Sequence, residues 1–179
     1  MPSASESPSA TIYTVGHSTR TADEFIGLLQ EFGIRLLADI RTVPKSRHNP
    51  QFHQDQLPAS LSTAGIEYRH LPGLGGLRRA AKDSPNAGWR NASFRGYADY
   101  MGTPQFDDAL AELISLATER VTAIMCAEAV YWRCHRSMVA DALLVRGFDV
   151  QHIMGAGTLK PARLTGFAVV EGTRITYPP

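Results

Sequence analysis

At 179 residues with 44% hydrophobic content, the chain can bury one full core but would be cramped as two, so a single domain is expected. A formal net charge of +1 supplies no general field for holding polyanions, so any nucleic-acid contact must come from local basic clusters. Two cysteines are too few for a disulfide framework and point to a reduced, cytoplasmic setting, and no apolar run approaches a membrane span.

Residues 1–10 are rich in Ser, Pro and Ala; they lack the charged and apolar regions of a signal peptide and read as a disordered tail, leaving 11–179 as the domain. Residues 11–15 (TIYTV) form a strand that empties into Gly16, His17, Ser18, Thr19 and Arg20. Thr21 or Asp23 can cap the next helix, over 24–32, whose Phe25, Leu28, Leu29 and Phe32 share a face, and Gly33 closes it. A second buried strand at 35–40 (RLLADI) delivers Asp39 and Arg41 to its carboxyl end. Residues 42–58 are loop-like and rich in Arg, Lys, His and Phe, 57–64 make a short helix, and 65–69 a third, weaker strand.

The stretch 70–97 is long for a connection and reads as a functional lid or a disordered insert. In it Arg78, Arg79, Lys82, Arg90 and Arg95 interleave with Trp89 and Phe94, which suits a phosphate-and-base surface. Its glycines Gly73, Gly75 and Gly76 are expected to grant flexibility. Thr103-Pro104 then opens a helix to about 118 with Phe106, Leu110, Leu113 and Leu116 inward. Residues 121–125 (VTAIM) form a buried, central strand, and Cys126, Glu128, Cys134, His135 and Arg136 follow it within one turn region. Residues 137–146 have helical spacing with Met138, Ala142 and Val145 on one face, and Gly147 stops them. A last strand spans 148–153, and 173–177 marks an edge hairpin.

Strands alternating with helices argue for a mostly parallel sheet with helices on both faces, a Rossmann-like three-layer α/β domain. Ligands in such sheets bind outside the carboxyl ends of the strands, at the switch point. His17 and Ser18 end the first strand, Asp39 and Arg41 the second, and Cys126 and Glu128 the fourth, so three strand ends are expected to share one rim.

The motifs TVGHSTR, LLADIRTVPKSR with a Phe shortly after, GIEYRHLPGLGG and MCAEAVYWRCHR together resemble the family catalogued as domain of unknown function 488, over nearly all of 11–153. The resemblance implies an α/β fold with a shared polar site at Gly16, His17, Ser18, Asp39, Arg41, Pro44, Ser46, Arg47, Gly75, Gly76, Cys126, Glu128, Cys134, His135 and Arg136. It also implies a loose association with DNA repair.

Each candidate has two readings. Cys126 is either a small core residue or, with its pKa lowered by His135 and Arg136, a nucleophile. Glu128, a carboxylate just past a central strand, is an acid/base or the ion-pair partner of Arg136. Cys134-His135-Arg136 opens a helix and, with Arg41, Arg47 and the hydroxyls of Ser18 and Thr19, can hold a phosphate; otherwise Arg136 pairs with Asp39 or Glu128. His17 is a general base, a phosphate contact or a structural donor. The adjacent Cys134-His135 pair lacks the spacing of two ligands on one zinc, and the deaminase pattern fails for want of P-C-x-x-C, so no metal is expected. Without a Walker loop or G-x-G-x-x-G after a strand, no cofactor is expected either.

Three functions are consistent with these residues. The favoured one is an enzyme of hydrolase or glycosylase type acting on a nucleotide or DNA, with Glu128, His17, Asp39 and Cys126 as catalytic candidates, and Ser18, Arg41, Ser46, Arg47, Gly75, Gly76, Cys134, His135 and Arg136 binding substrate. The second is a non-enzymatic nucleotide or nucleic-acid binding module. The third is thiol-dependent, sulfur-transfer-like chemistry by Cys126.

Overall fold

A computed structural model describes residues 10–179; residues 1–9, most of the expected tail, lie outside the described residues. Five strands run parallel: β1 (Thr11–Gly16), β2 (Leu36–Asp39), β3 (Glu67–His70), β4 (Thr122–Cys126) and β5 (Asp149–Gly155). An antiparallel strand, β6 (Thr158–Pro161), completes the sheet in the order β3-β2-β4-β1-β5-β6. β4 is buried at all five positions, as its apolar, partly β-branched text predicts for a central parallel strand.

Side chains alternate across the sheet and divide the core in two. Val15, Leu37, Ala123 and Met125 face α1 (Ala22–Glu31) and α2 (Leu57–Thr63), where Phe25, Leu29, Leu57 and Leu61 are buried. Ile12, Leu36, Ala38, Ile124 and Cys126 face α3 (Ala92–Tyr100), α4 (Pro104–Glu119) and α5 (Arg136–Leu144). The three-layer arrangement is therefore the one the sequence implies. Thr21 caps α1, its hydroxyl accepting from the Glu24 amide at 3.1 Å, and Gly33 follows at φ +70°, a left-handed turn that glycine adopts without strain. In α4, Phe106, Leu110 and Leu113 are buried as expected, but Ala117 takes the inward place foreseen for Leu116.

From β1 the chain crosses to β2 and β3, then returns to β4 and passes on to β5. Neighbouring strands β1 and β4 thus leave the sheet in opposite directions, and a crevice opens at their carboxyl ends. Gly16 pairs with Cys126 across that crevice.

The stretch 70–97 is anchored at several points and includes the start of α3. Asn86 is buried; its side-chain amide donates to Asp99 at 2.7 Å and its oxygen accepts from the Tyr177 amide at 2.9 Å. Trp89 packs against Phe94, Phe167 and Tyr177. The chain closes with a hairpin of β7 (Val169–Glu171) and β8 (Arg174–Thr176). Among the described residues no helix is long and apolar enough to cross a membrane.

Candidate functional site

The end of β1 is built on a close approach. The amides of His17 and Ser18 donate to the carbonyls of Cys126 and Ala127 at 2.9 and 3.0 Å, carrying the β1–β4 ladder past both strands. A Cβ on Gly16 would fall on the Glu128 carbonyl and within 2.8 Å of Arg136 Nη1, so only glycine fits. Ser18 sits at φ +52°, a left-handed conformation uncommon for a residue with a side chain.

His17 is 1% exposed and stacks on Phe52 at 4.2 Å. Burial pushes its pKa down to about 4, so the ring is neutral near pH 7. Nδ1 lies 2.8 Å from the Ser18 carbonyl and therefore carries the proton, leaving Nε2 as an acceptor 3.4 Å from Arg41 Nη1. Arg41 is itself bound. It donates through Nε and Nη2 to Asp39 at 2.9 and 2.7 Å and through Nη2 to the Phe52 carbonyl at 2.7 Å. Asp39 also accepts from Tyr68 Oη at 2.6 Å. Burial, then the bond to Asp39, raises the Tyr68 pKa. This ion pair braces the ends of β1, β2 and β3, and breaking it would leave an uncompensated buried charge.

On the other side of β4, Cys126 and Cys134 are free, buried thiols with their sulfurs 2.6 Å apart. The Arg136 amide donates to Cys134 Sγ at 3.4 Å. Burial pushes the Cys126 thiol up, but the hydrogen bond from Cys134 and the Arg136 guanidinium outweigh it and leave the Cys126 pKa lowered. Cys134, the donor, is raised well above the ordinary value, first by that bond and then by burial. The pair thus gives up one proton readily and the second with difficulty. His135 donates from Nε2 to the Ile40 carbonyl at 3.0 Å, which turns a bare Nδ1 toward Cys134 Sγ at 3.5 Å. Burial pushes the His135 pKa down to about 4.

Arg136 is 1% exposed, yet Nε and Nη1 have no hydrogen-bond partner among the described residues, and Nη2 reaches only the Ala129 carbonyl at 3.3 Å. The pairing with Asp39 or Glu128 that its sequence position allows is not formed: Asp39 is taken by Arg41, and Glu128 is exposed.

The thiols form part of the lining of an open pocket of about 320 Å³, with Arg41, Thr42, Val43, Lys45, Gly76, Leu77, Phe94, Ala127, Glu128, Arg133 and His135. Of the residues expected at one rim, the pocket brings together Arg41, Gly76, Cys126, Glu128, Cys134 and His135. His17, Asp39 and Arg136 are buried and do not line it, nor do Ser18, Ser46 and Arg47; Ser46 accepts from His53 through its carbonyl, and Arg47 is exposed. Gly75 and Gly76 serve close contact rather than flexibility: a Cβ on Gly75 would strike Thr42, and one on Gly76 would come within 2.6 Å of His135 Nδ1. Lys45, Arg133 and Tyr68 were not singled out from sequence, although Arg133 directly precedes Cys134 and Lys45 lies within the TVPKSR motif. Among the described residues no group of three His, Cys, Asp or Glu side chains is placed to hold a metal ion.

A family model described as "Domain of unknown function DUF488" matches residues 21–143. No curated protein and no solved structure matches the chain.

Proposed function

The chain belongs to the family described as domain of unknown function DUF488, and on that footing we propose that it is a thiol-dependent enzyme that admits a small anion to the pocket and attacks it with the Cys126 thiolate. The observation that carries this reading is a buried guanidinium, Arg136, that has no carboxylate partner among the described residues and whose charge acts on Cys126. A lone buried cation costs several kcal/mol, and a thiolate at Cys126, which lies in register with the Gly16 that Arg136 Nη1 approaches, offsets part of it. The hydrogen bond from Cys134 favours the same ionised form.

Binding and bracing divide between different cations. Lys45 and Arg133 are exposed at the pocket, with no ion pair among the described residues, and they draw the anion in. Arg41, saturated by Asp39 and Phe52, holds the strand ends in place. His17 is buried, neutral and committed to Ser18, which suits a brace better than a proton shuttle. Such a thiolate needs a reducing compartment, the cytoplasm being the simplest.

A nucleotide- or DNA-directed enzyme is the second reading, favoured by Glu128 and Phe94, both of which line the pocket: Lys45 and Arg133 would hold a phosphate, Phe94 a base, and Glu128 would move the proton. Variants separate the two. Sulfur uptake from thiosulfate, and release of base or phosphate from nucleotides and damaged DNA, are followed for wild type, Cys126→Ser and Glu128→Gln. The thiol reading predicts that Cys126→Ser abolishes turnover while Glu128→Gln stays close to wild type. The reverse ranking, with Glu128→Gln losing roughly 10²–10⁴-fold, would overturn it in favour of the carboxylate. If nothing is turned over while a nucleotide raises the melting temperature, the binding module takes the place of both.

A further inference from the structure

We infer that Cys134 is the resolving thiol of a two-cysteine reaction whose substrate is an anionic sulfane-sulfur donor, such as thiosulfate or a small persulfide. This rests on the reading of Cys126 as the nucleophile and adds the substrate class and the second half of the cycle.

The arrangement of the two thiols supports it. Cys126 ends β4, its carbonyl fixed by the His17 amide. Cys134 directly precedes the His135 cap of α5 and is held by the Arg136 amide. Seven residues of loop separate them in sequence, yet their sulfurs meet at the pocket. A bridge between them therefore requires little movement of either element.

The pocket narrows the substrate. Lys45 and Arg133 at its edge favour an anion, whereas a neutral hydroperoxide would gain nothing from them. Phosphoryl transfer to Cys126 would use the cations but would give the second thiol no task. A sulfane-sulfur anion uses both. At about 320 Å³ the pocket falls within the range of small-molecule sites.

Atoms and charges balance at each step. The Cys126 thiolate attacks the outer sulfur of thiosulfate, the sulfur–sulfur bond of the donor breaks, and sulfite leaves with the electron pair, giving a Cys126 persulfide anion. Cys134 then attacks the inner sulfur of that persulfide, a Cys126–Cys134 disulfide forms, and hydrosulfide departs. The proton lost by Cys134 passes directly to the departing sulfur, which leaves as hydrosulfide. The disulfide carries two oxidising equivalents, and an external dithiol returns the pair to thiols by exchange.

A single turnover tests this. Reduced protein, freed of reductant, is mixed with one equivalent of thiosulfate or of glutathione persulfide, and the co-product (sulfite or glutathione), hydrosulfide and peptide masses are followed. Wild type should yield co-product, hydrosulfide and a Cys126–Cys134 disulfide. Cys134→Ser and Cys134→Ala should still yield co-product but keep the extra sulfur on Cys126, with hydrosulfide lost. Wild type that holds a persulfide without forming the disulfide would overturn the resolving role while leaving Cys126 as the acceptor, and that result does not depend on how the variants fold. Hydrosulfide release from the Cys134 variants at the wild-type rate would do the same. If wild type releases co-product from neither donor, the sulfur-acceptor reading of Cys126 falls, and the inference with it.

Discussion

Arg136 brings a full charge into the interior and leaves Nε and Nη1 without partners among the described residues. In the sequence it was a candidate phosphate clamp or a partner for Asp39 or Glu128. Neither pairing forms, because Asp39 is fully engaged by Arg41 and Tyr68. Its position against Gly16 and the Cys126 strand end makes it a source of field for the thiol. Arg136→Gln should therefore move the ultraviolet titration of the Cys126 thiolate to higher pH, and an unmoved curve would show that the guanidinium does not act on the sulfur. Gly16 was legible as the residue at which the first strand ends, but the reason for it was not: its Cβ would land on the Glu128 backbone, which cannot swing aside. Gly16→Ala should cost about 1–3 kcal/mol of stability in denaturant unfolding; an unchanged midpoint would show that the loop after β4 gives way. Glu128 shows the limit of strand-end reasoning. The sequence shows that a carboxylate follows the strand, but the turn geometry that leaves it exposed on the pocket wall is a tertiary property.

At the scale of elements, α5 shows both what periodicity reveals and what it hides. The helix was legible from its spacing and from Gly147, which sits at φ +87°. The sequence suggests one apolar face, yet Met138, Val139, Ala140, Ala142 and Leu143 are all buried, because the segment after β6 folds back over the helix. Asp141 fastens that segment, accepting from the Thr165 amide and hydroxyl at 3.0 and 2.7 Å and from Tyr177 Oη at 2.8 Å. Burial pushes its carboxyl pKa up despite these bonds. Tyr177→Phe should cost about 1.5–3 kcal/mol, as expected for a hydrogen bond to a charged group, and equal melting temperatures would contradict this fastening role. α3 was missed for a related reason. Gly96 interrupts its helical text, and it is there because a Cβ would strike the Arg78 carbonyl, a contact made by residues distant in sequence. The same packing ties Trp89, expected as a base-stacking platform, to Phe167 and Tyr177.

For the whole molecule, alternating strands and helices were enough to indicate a parallel three-layer sheet. The spatial order was not legible, since nothing local tells the chain to return from β3 and insert β4 between β2 and β1. That insertion creates the crevice and sets the thiol pair at it. Burial in the folded molecule also pushes the pKa values of three histidines, His17, His135 and His152, down to about 4. Below about pH 6.5 the unfolded chain binds protons that the folded one refuses, so stability is full above that pH and is lost as the pH falls toward about 4. For His17 and His152, 1% and 3% exposed, the loss is on the order of 3 kcal/mol each at the acid end. Urea unfolding across that window should show the decline, and a flat profile would mean that the folded rings accept protons. The account as a whole stands on Cys126 being an ionised nucleophile open to the pocket. The most direct measurement is the rate at which a small alkylating agent modifies Cys126 in the folded protein as a function of pH, read by peptide mass. The account predicts selective modification of Cys126 with a midpoint below the about 8.5 of an ordinary thiol. Modification that follows an ordinary thiol, or that spares Cys126 until the protein unfolds, would contradict it.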